Sequence, residues 1–423
     1  MNGYYDALVP FKNQLKCTDT LTAVWITVQC PSRVPVGKYH QTIKIEGSKH
    51  FTIQLDYNVH HTTIPLKSSI PITVGVENRC MTECLNDKEA DKERQRWVDF
   101  VLSYRMTPVF GTQITPERWQ YEHSFSPWAW NDKRSIRLLN DRRYSCYMLP
   151  FFTLSENELA SLLCNIQKKG KLKESLFYIW DEPAYMEDYE QIKRKVNIIR
   201  KYASDARILT TFFCGPRNGP RKGDLYAVFD YLKHHIHVAT ISLAPCKGNE
   251  EEVQHIRYKV PEGIDWWSYV CWQPGGNEPN FLLQMKGIQQ RAIMWRTWKN
   301  GSQGFLYWNC NIYHKRNPFT YITDMPHGDG ILIYPGDILG CKGPIASARL
   351  ERWRDGAEEM ELLRLVEKNY SKEKADTLLN IVYSSPLSFI EKAHNIPFFR
   401  KELLDQLDKT IPIDYKLRIT DFI

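Results

Sequence analysis

Two adjacent carboxylates, Asp181 and Glu182, are the residues of this sequence best placed to do chemistry. They follow the short apolar and aromatic run 176–180 (LFYIW), and Pro183 comes directly after them. The run has the composition of a β-strand, and a proline ends a strand because it has no N–H to donate. The two carboxylates are therefore expected where a strand opens into a loop.

Neighbouring carboxylates can divide acid and base work between them. Because like charges repel, the two pKa values separate, so that one group keeps a proton near neutral pH while the other stays charged. Cleavage of a glycosidic bond needs this combination. Residues 177–183 alone leave a second interpretation open, in which a strand ends at an acidic helix cap.

From Ile70 onward, strand-like runs alternate with helical stretches, the order typical of βαβ units. Two of the intervening stretches are amphipathic helices, Glu156–Lys168 with Ser155 as its cap, and Asp188–Tyr202. Eight such parallel strands close into a (β/α)₈ TIM barrel, which would place the carboxylate pair at the carboxyl end of the fourth strand, where barrel enzymes do their chemistry. The predicted strands are Ile70–Val76, Thr107–Phe110, Tyr144–Phe152, Leu176–Trp180, Ile208–Phe213, Val238–Leu243, Trp266–Trp272 and Phe305–Asn309.

The same patterns predict an α/β protein with three domains. Residues 1–66 are expected to form a small β-sandwich-like N-terminal domain, residues 67–370 the catalytic barrel, and residues 371–423 a C-terminal helical extension. The strong helical pattern of Ser347–Lys368 is expected to be the last barrel helix.

Three strands are predicted in the N-terminal segment. Ala23–Val28 is rich in β-branched and aromatic residues, while Tyr39–Ile45 and Phe51–Tyr57 alternate apolar with polar residues, as half-buried antiparallel strands do. The segment is short for a sandwich, so it is expected to be the remnant, or the later half, of a larger β-domain.

Aromatic residues crowd the predicted ends of strands seven and eight, in the segments 266–272 (WWSYVCW) and 305–311 (FLYWNCN). Trp128 and Trp130 lie in the loop after strand two or in an insertion there. Sugar rings stack their C–H faces on indole and phenol rings, and their hydroxyls need fixed polar partners. Core packing explains a single tryptophan, but the cluster beside two carboxylates favours a carbohydrate site at the barrel mouth.

The segment 178–183 (YIWDEP) resembles the catalytic motif of glycoside hydrolase family 123, the retaining β-N-acetylgalactosaminidases. The resemblance extends from about Thr22 to Leu365, and residues 24–57 look like the end of the β-sandwich that precedes the barrel in that family. The other matching segments are 304–309 (GFLYWN), 334–336 (YPG), 343–351 (GPIASARLE) and 354–356 (RDG).

This resemblance implies substrate-assisted catalysis, in which the 2-acetamido oxygen of the sugar attacks the anomeric carbon and forms an oxazolinium intermediate. Glu182 would be the general acid and then the general base, and Asp181 would hold the acetamide N–H and stabilise the developing positive charge. No enzyme nucleophile is required, so the usual separation of two carboxylates in a retaining enzyme does not apply. The implied substrate is a glycan or glycoconjugate with a terminal β-linked N-acetylgalactosamine.

Further residues are expected to bind the sugar. The candidates for stacking are Trp272, Trp308, Tyr307 and Trp267, and the candidates for hydroxyl binding are Asn309, Asn311 and Tyr269. Arg105 and His123 are weaker candidates in early barrel loops.

Two alternatives stay open at this point. The same carboxylates could cleave a different sugar, or the barrel could bind carbohydrate without catalysis, although the intact carboxylate pair argues against a decayed site. A purely structural role leaves the aromatic and carboxylate residues unexplained.

Composition excludes several other classes of protein. The net charge of +7 comes from Lys and Arg residues interleaved with acids, which predicts a solvated surface rather than a nucleic-acid stripe. The sequence contains no run of eighteen apolar residues, so no transmembrane helix is expected. Residues 1–10 show no signal peptide, so the protein is expected in the cytoplasm as written, or exported if the N-terminus is truncated.

No cofactor or metal is predicted. The sequence has no phosphate-binding glycine loop and no HExxH helix. The eleven cysteines are scattered, and no second pair or histidine completes a zinc site with Cys80 and Cys84. His234, His235 and His237 are interpreted as polar positions between a helix and a strand. The oligomeric state stays open.

Overall fold

A computed structural model describes residues 6–12, 14–15, 22–31, 33–47, 49–83, 85–115, 118–120, 137–150, 155–313, 317–319 and 325–409 of the chain. These residues form two compact units. The first, here called the barrel unit, consists of the described parts of Met1–Pro10, Leu66–Met360 and Tyr383–Ala393. The second unit consists of the described parts of Phe11–Pro65, Glu361–Val382 and His394–Ile423.

The strands within the described residues are numbered in chain order. They are β1 (Gly37–Ile45), β2 (Phe51–Val59), β3 (Ile72–Glu77), β4 (Thr107–Thr115), β5 (Arg118–Gln120), β6 (Tyr147–Pro150), β7 (Ser175–Trp180), β8 (Arg207–Phe212), β9 (Val238–Ser242), β10 (Asp265–Val270), β11 (Phe305–Tyr307), β12 (Ile333–Pro335) and β13 (Pro344–Ala346).

The helices of the described residues are numbered in the same way. They are α1 (Asn78–Thr82), α2 (Asp87–Ser103), α3 (Glu156–Lys168), α4 (Met186–Tyr202), α5 (Ala227–Leu232), α6 (Glu250–Tyr258), α7 (Gly287–Lys299), α8 (Ala348–Asn369), α9 (Lys372–Leu379) and α10 (Ile396–Asp408). Short 3₁₀ turns span Leu172–Glu174, Ala244–Cys246, Asp337–Leu339 and Ile390–Asn395.

The barrel unit contains a parallel sheet that is nearly closed. Strands pair side by side in the order β4, β3, β11, β10, β9, β8, β7, β6, and every pair in this series is parallel. At the junction of β4 with β6, Ser145 N donates to Thr107 Oγ1 at 3.2 Å, and the two hydroxyl oxygens lie 2.8 Å apart. The predicted (β/α)₈ barrel is confirmed.

Helices of the predicted types connect the strands. In α3, Ser155 Oγ accepts from Glu158 N at 3.4 Å and Ser155 N donates to Glu158 Oε2 at 2.9 Å, so the predicted cap is a full capping box. The long helix expected at Ser347–Lys368 is α8, which begins one residue later at Ala348.

Alternating side chains of the strands supply two apolar cores. Leu176 and Tyr178 of β7 belong to the cluster inside the barrel, together with residues such as Leu209 and Tyr269. Phe177 belongs to the outer cluster, which the sheet shares with its covering helices. The period-two pattern of a buried strand therefore positions both layers.

The second unit contains the two-stranded sheet of β1 and β2 and the helices α9 and α10. The strands pair antiparallel with Gly37 opposite Val59 and Ile45 opposite Phe51. The strand predicted at Ala23–Val28 is wrong, because this segment has no regular secondary structure and Val24 and Val28 are exposed. A favourable composition makes a strand only where a neighbour pairs with its backbone.

Within the part of the chain that the structure describes, no helix combines the length and the apolar character needed to cross a bilayer.

Candidate active site

A β-bulge near the end of β7 determines where the two carboxylates point. The pairing of β7 with β8 shifts register between Tyr178 and Trp180. As a result both Ile179 and Trp180 pack with the outer cluster, although neighbouring strand residues normally alternate between faces. The bulge thus restores Asp181 to the inner side, next to Tyr178. Bulges are frequent beside active sites because they redirect a side chain.

Asp181 is held by two hydroxyl groups. Tyr178 OH donates to Asp181 Oδ1 at 2.5 Å, and Thr211 Oγ1 donates to the same oxygen at 2.8 Å. Tyr178 and Thr211 are buried, and their own oxygens lie 3.0 Å apart. Two donors from adjacent strands fix the carboxylate in one orientation and leave its second oxygen without a contact to these hydroxyls.

Glu182 has an unusual backbone conformation. Its φ angle is +44°, in the left-handed region that few residues other than glycine adopt. Its N–H donates to Thr211 Oγ1 at 3.0 Å, which helps to hold this conformation. Such strain costs roughly 1–3 kcal/mol and is concentrated at functional sites. Thr211 therefore positions both carboxylates of the pair.

The Glu182 carboxyl group is arranged to keep a proton. Partial removal of the carboxyl group from water and the nearby charge of Asp181 raise the pKa of Glu182 to about 7, although the residue as a whole is exposed. Tyr269 OH donates to Glu182 Oε1, and the charge of Arg217 acts in the opposite direction on the pKa. Burial raises the pKa of Tyr269 well above its usual value, so the phenol stays a donor.

Trp272 presents the most accessible aromatic face of the site. Its side chain is 41% exposed, and its ring stacks on Phe213 with a centroid distance of 6.0 Å and an interplanar angle of 14°. Strand β10 ends at Val270, so the prediction that this strand continues to Trp272 is wrong. Cys271 N donates to Gln273 O, so the chain turns here and Trp272 no longer pairs with a neighbouring strand.

Buried Asn280 holds the turn that carries Trp272. Its Nδ2 donates to Cys271 O and to Pro274 O, each at 2.8 Å. The exposed indole is therefore carried by a loop in which the carbonyls of Cys271 and Pro274 both accept hydrogen bonds from a buried side chain.

The aromatic residues near the end of β11 are less accessible. Trp308 is half-buried and packs against the inner cluster, while Tyr307 is buried. Trp267 and Tyr269 of β10 are also buried in the inner cluster. Trp267, Tyr269 and Trp308 line the interior below the mouth, and Tyr269 reaches the carboxylate pair through its hydroxyl. Tyr307 instead lies on the outer face of β11, where its ring packs on Phe281. Strand β11 ends at Tyr307, two residues before the predicted end at Asn309.

The two asparagines after β11 are buried and bind the protein backbone. Asn311 Oδ1 accepts from Glu77 N at 2.7 Å, and Asn311 Nδ2 donates to Glu77 O at 3.0 Å. Asn309 Oδ1 accepts from Asn311 N at 2.9 Å. These bonds join the chain after β11 to the carboxyl end of β3.

The structure does not bring Arg105 to the carboxylate pair. Arg105 lies just before β4, at the amino end of that strand, whereas the pair follows the carboxyl end of β7. His123, Trp128 and Trp130 lie outside the described residues.

Several residues of the site were not predicted from the sequence. Tyr178 and Thr211 could have been found as polar residues at inward-facing positions within the last three residues of their strands, close to the loops. Phe213 directly follows β8. Asp329 accepts hydrogen bonds from Tyr307 and Trp308, and exposed Arg217 acts on the pKa of Glu182; no motif signals either residue.

Among the described residues, no group of three or more His, Cys, Asp or Glu side chains is arranged to hold a metal ion.

Comparison with known proteins identifies the family. Residues 92–366 match the model of "Glycoside hydrolase 123, catalytic domain". A solved structure of a family 123 glycoside hydrolase from Clostridium perfringens, determined in a study of glycolipid glycan hydrolysis, is similar with a TM-score of 0.63 and 14% identity over 90% of this chain and 77% of that chain.

Two other solved structures share less with this chain. They are a β-D-glucuronidase from Dictyoglomus thermophilum (TM-score 0.38, 10% identity, 75% of this chain and 57% of that chain) and a GH10 xylanase from Thermobacillus composti (0.36, 12%, 68% and 97%). No curated protein sequence matches the chain. Because the family model covers well over half of its 423 residues, the chain belongs to glycoside hydrolase family 123.

Proposed function

We propose that this glycoside hydrolase removes a terminal β-linked N-acetylgalactosamine with retention of configuration, using the substrate's own 2-acetamido group as the nucleophile. The proposal rests on one observation above all. Glu182, with a pKa raised to about 7, stands next to Asp181, whose Oδ1 is fixed by two hydroxyl donors. A proton donor and an oriented carboxylate are the two groups that this mechanism needs from the protein.

In the first step, protonated Glu182 gives its proton to the glycosidic oxygen. The bond from the anomeric carbon to that oxygen breaks, and the acetamide carbonyl oxygen forms a bond to the anomeric carbon, so the aglycone leaves as an alcohol. Asp181 accepts a hydrogen bond from the acetamide N–H and stabilises the positive charge of the oxazolinium ring.

In the second step, Glu182 is a carboxylate and acts as a base. It takes a proton from a water molecule, whose oxygen attacks the anomeric carbon from the face that the aglycone has left. The bond to the acetamide oxygen breaks, the acetamide is restored, and Glu182 ends protonated for the next cycle. Two inversions at the same carbon give overall retention.

The surrounding residues divide into supports and sugar contacts. Tyr178 and Thr211 orient Asp181, and Tyr269 orients the Glu182 carboxyl group through its hydroxyl. We assign sugar stacking to Trp272, on its support Phe213, and to half-buried Trp308. Buried Trp267 is assigned to shaping the floor of the site, and Tyr307, Asn309 and Asn311 to supporting the chain that carries Trp308.

The proposal is tested with aryl β-N-acetylgalactosaminides. We expect the wild-type protein to release the phenol at acid to neutral pH, with Glu182→Gln as the control for background release. A matched aryl β-galactoside, which lacks the acetamido group, should be hydrolysed at least about a hundredfold more slowly, because it has no internal nucleophile.

Two results would contradict this function. Release from aryl sugars with poor leaving groups that is no faster than that of Glu182→Gln, across pH and a panel of sugars, would remove the acid role of Glu182. Equal rates on the galactoside and the acetamido sugar would show a different mechanism and a different substrate.

A further inference from the structure

A third carboxylate, Asp329, lies in the loop between β11 and β12. Its side chain is 4% exposed. Trp308 Nε1 donates to Asp329 Oδ1 at 2.8 Å, and Tyr307 OH donates to the same oxygen at 3.0 Å. One carboxylate oxygen therefore holds two consecutive aromatic residues at the end of β11.

Two glycines allow this loop to pack closely, Gly330 against the indole ring of Trp308 and Gly328 against Arg349 and Leu283. Gly328 and Gly330 have φ angles of +87° and +69°, in the left-handed region. A Cβ atom on Gly330 would lie 2.6 Å from Trp308 Cζ2 and 2.5 Å from Ile312 Cγ2, so no other residue fits there. Gly330 is thus required by the close approach of the loop to the ring, and Gly328 by the close approach of Arg349 and Leu283.

A buried arginine supports the loop from the other side. Arg349 Nη1 donates to Gly328 O at 2.8 Å, and Arg349 Nη2 donates to Ile331 O, so the carbonyls on both sides of Asp329 are held. The guanidinium is itself paired with Asp6 Oδ2 at 2.8 Å. Support of this kind keeps the Asp329 carboxylate in one place.

Asp329 belongs to the same region of the barrel as the catalytic pair. Burial and then the charge of Asp329 raise the pKa of the Cys271 thiol, and the charges of Glu182 and Asp181 add to that rise. Cys271 is part of the inner cluster against which Trp308 packs. All three carboxylates therefore act on one buried thiol beneath the barrel mouth.

An aspartate at this position costs stability. Its Oδ2 is buried and has no hydrogen-bond partner among the described residues, and burial raises the pKa of Asp329 to about 6 despite the donors on Oδ1 and the nearby charge of Arg349. An apolar residue would avoid burying a carboxylate, but it would leave the Tyr307 hydroxyl and the Trp308 indole N–H without an acceptor. Departures from good packing of this sort are expected where function requires them.

We propose that Asp329 is a positioning residue for the sugar, which acts by fixing the plane of the Trp308 indole. The fixed ring presents its face to the sugar so that the anomeric carbon lies at Glu182. This role rests on the proposed function for the catalytic part of Glu182 and the stacking of the sugar on Trp308, whereas the contact between Asp329 and Trp308 is a property of the protein alone.

The contact is tested by nuclear magnetic resonance of protein with ¹⁵N-labelled tryptophan. The Trp308 indole signal is the one that disappears in Trp308→Phe. We expect this signal to move in Asp329→Leu and to stay close to its wild-type position in Asp329→Asn, whose amide oxygen accepts the same two donors. An unmoved signal in Asp329→Leu would overturn the proposal, whether or not the protein cleaves N-acetylgalactosaminides.

The positioning role is tested by a double-mutant cycle on kcat/KM with the best aryl glycoside. We expect Asp329→Leu to lower kcat/KM about 10- to 100-fold in the wild type but less than about threefold in the Trp308→Phe background, because the residue acts through that ring. Asp329→Asn should restore kcat/KM to within about threefold of wild type.

Two kinetic outcomes contradict the proposal. Equal losses from Asp329→Leu in both backgrounds would mean that Asp329 acts without Trp308. A loss in Asp329→Asn as large as that in Asp329→Leu would mean that its charge, and not its position, matters. The Asn variant also keeps the test decisive if thermal unfolding shows that Asp329→Leu does not fold.

Discussion

At the scale of single residues, Glu182 combines three features that each cost stability. Its backbone is left-handed, its carboxyl group is partly removed from water, and a second carboxylate is its neighbour in the chain. The protein offsets these costs with three hydroxyl donors to the pair, from Tyr178, Thr211 and Tyr269, and Thr211 Oγ1 also accepts from the Glu182 N–H. The sequence predicted the pair, and the raised pKa of Glu182, from the adjacency of two acids. The left-handed backbone could not be predicted, because no glycine marks it.

The proton on Glu182 sets the pH dependence of the first chemical step. Burial and the charge of Asp181 raise the pKa of Glu182 to about 7, so the protonated acid dominates below that pH and is lost above it. We expect kcat/KM to fall about tenfold for each pH unit above that pKa. The measurement is a pH profile on an aryl β-N-acetylgalactosaminide with a poor leaving group.

Glu182→Gln is the control for this profile. The variant should lose about 10²–10⁴ in rate on that substrate and much less on one with a very good leaving group, which needs no proton. Its remaining activity should lack the alkaline fall. If the fall persists in the variant, another group carries the proton.

At the scale of elements, apolar runs alternating with helical stretches predicted the barrel strands, because a strand whose two faces are buried by different clusters is apolar along its length. The bulge of β7 could not be predicted in this way, since a register shift depends on pairing with β8 and not on the residues of β7 alone. The ends of β10 and β11 were predicted two residues too long for a similar reason. Aromatic residues continue past each strand, but hydrogen bonds of the following turns end the ladder.

Strands β8 and β9 offer a matched pair of threonines for testing the supports. Thr211 bonds both carboxylate residues, whereas Thr240, its neighbour in register on β9, has a buried Oγ1 without a hydrogen-bond partner among the described residues. We expect Thr211→Val to lower kcat/KM about 10- to 100-fold, because the Asp181 carboxylate and the Glu182 backbone N–H both lose an orienting contact. Thr240→Val should stay within about twofold of wild type.

A conservative variant separates orientation from packing in this test. Thr211→Ser keeps the hydroxyl and should recover most of the activity that Thr211→Val loses. Equal kinetics for the valine variants of Thr211 and Thr240, with similar melting temperatures, would show that the hydroxyl of Thr211 has no part in orienting the pair.

At the scale of the whole molecule, what could not be predicted depends on contacts between distant parts of the chain. The Ala23–Val28 segment has the composition of a strand, but composition does not supply a pairing partner. The division into residues 1–66, 67–370 and 371–423 stays a prediction. Residues near the N-terminus also join the barrel unit, where Leu8 N donates to Ala346 O at 2.9 Å and Ala348 N donates to Asp6 O at 2.7 Å. No local sequence pattern predicts contacts between segments so far apart in the chain.

The ion pair of Asp6 with Arg349 joins residues 343 positions apart. Substituting Asp6 tests whether the N-terminal segment stabilises the barrel unit. Both side chains are buried, and Tyr334 OH also donates to Asp6 Oδ2, at 2.6 Å. Asp6→Ala leaves the Arg349 charge buried without its partner, so we expect the free energy of unfolding to fall by about 3–5 kcal/mol and the melting temperature by several degrees. Asp405→Ala, which removes a surface ion pair with Lys401, should change the free energy of unfolding by less than about 0.5 kcal/mol. Equal effects of the two substitutions would mean that the N-terminal segment does not stabilise the barrel unit, and the support that Arg349 gives to the Asp329 loop would then have to be independent of Asp6.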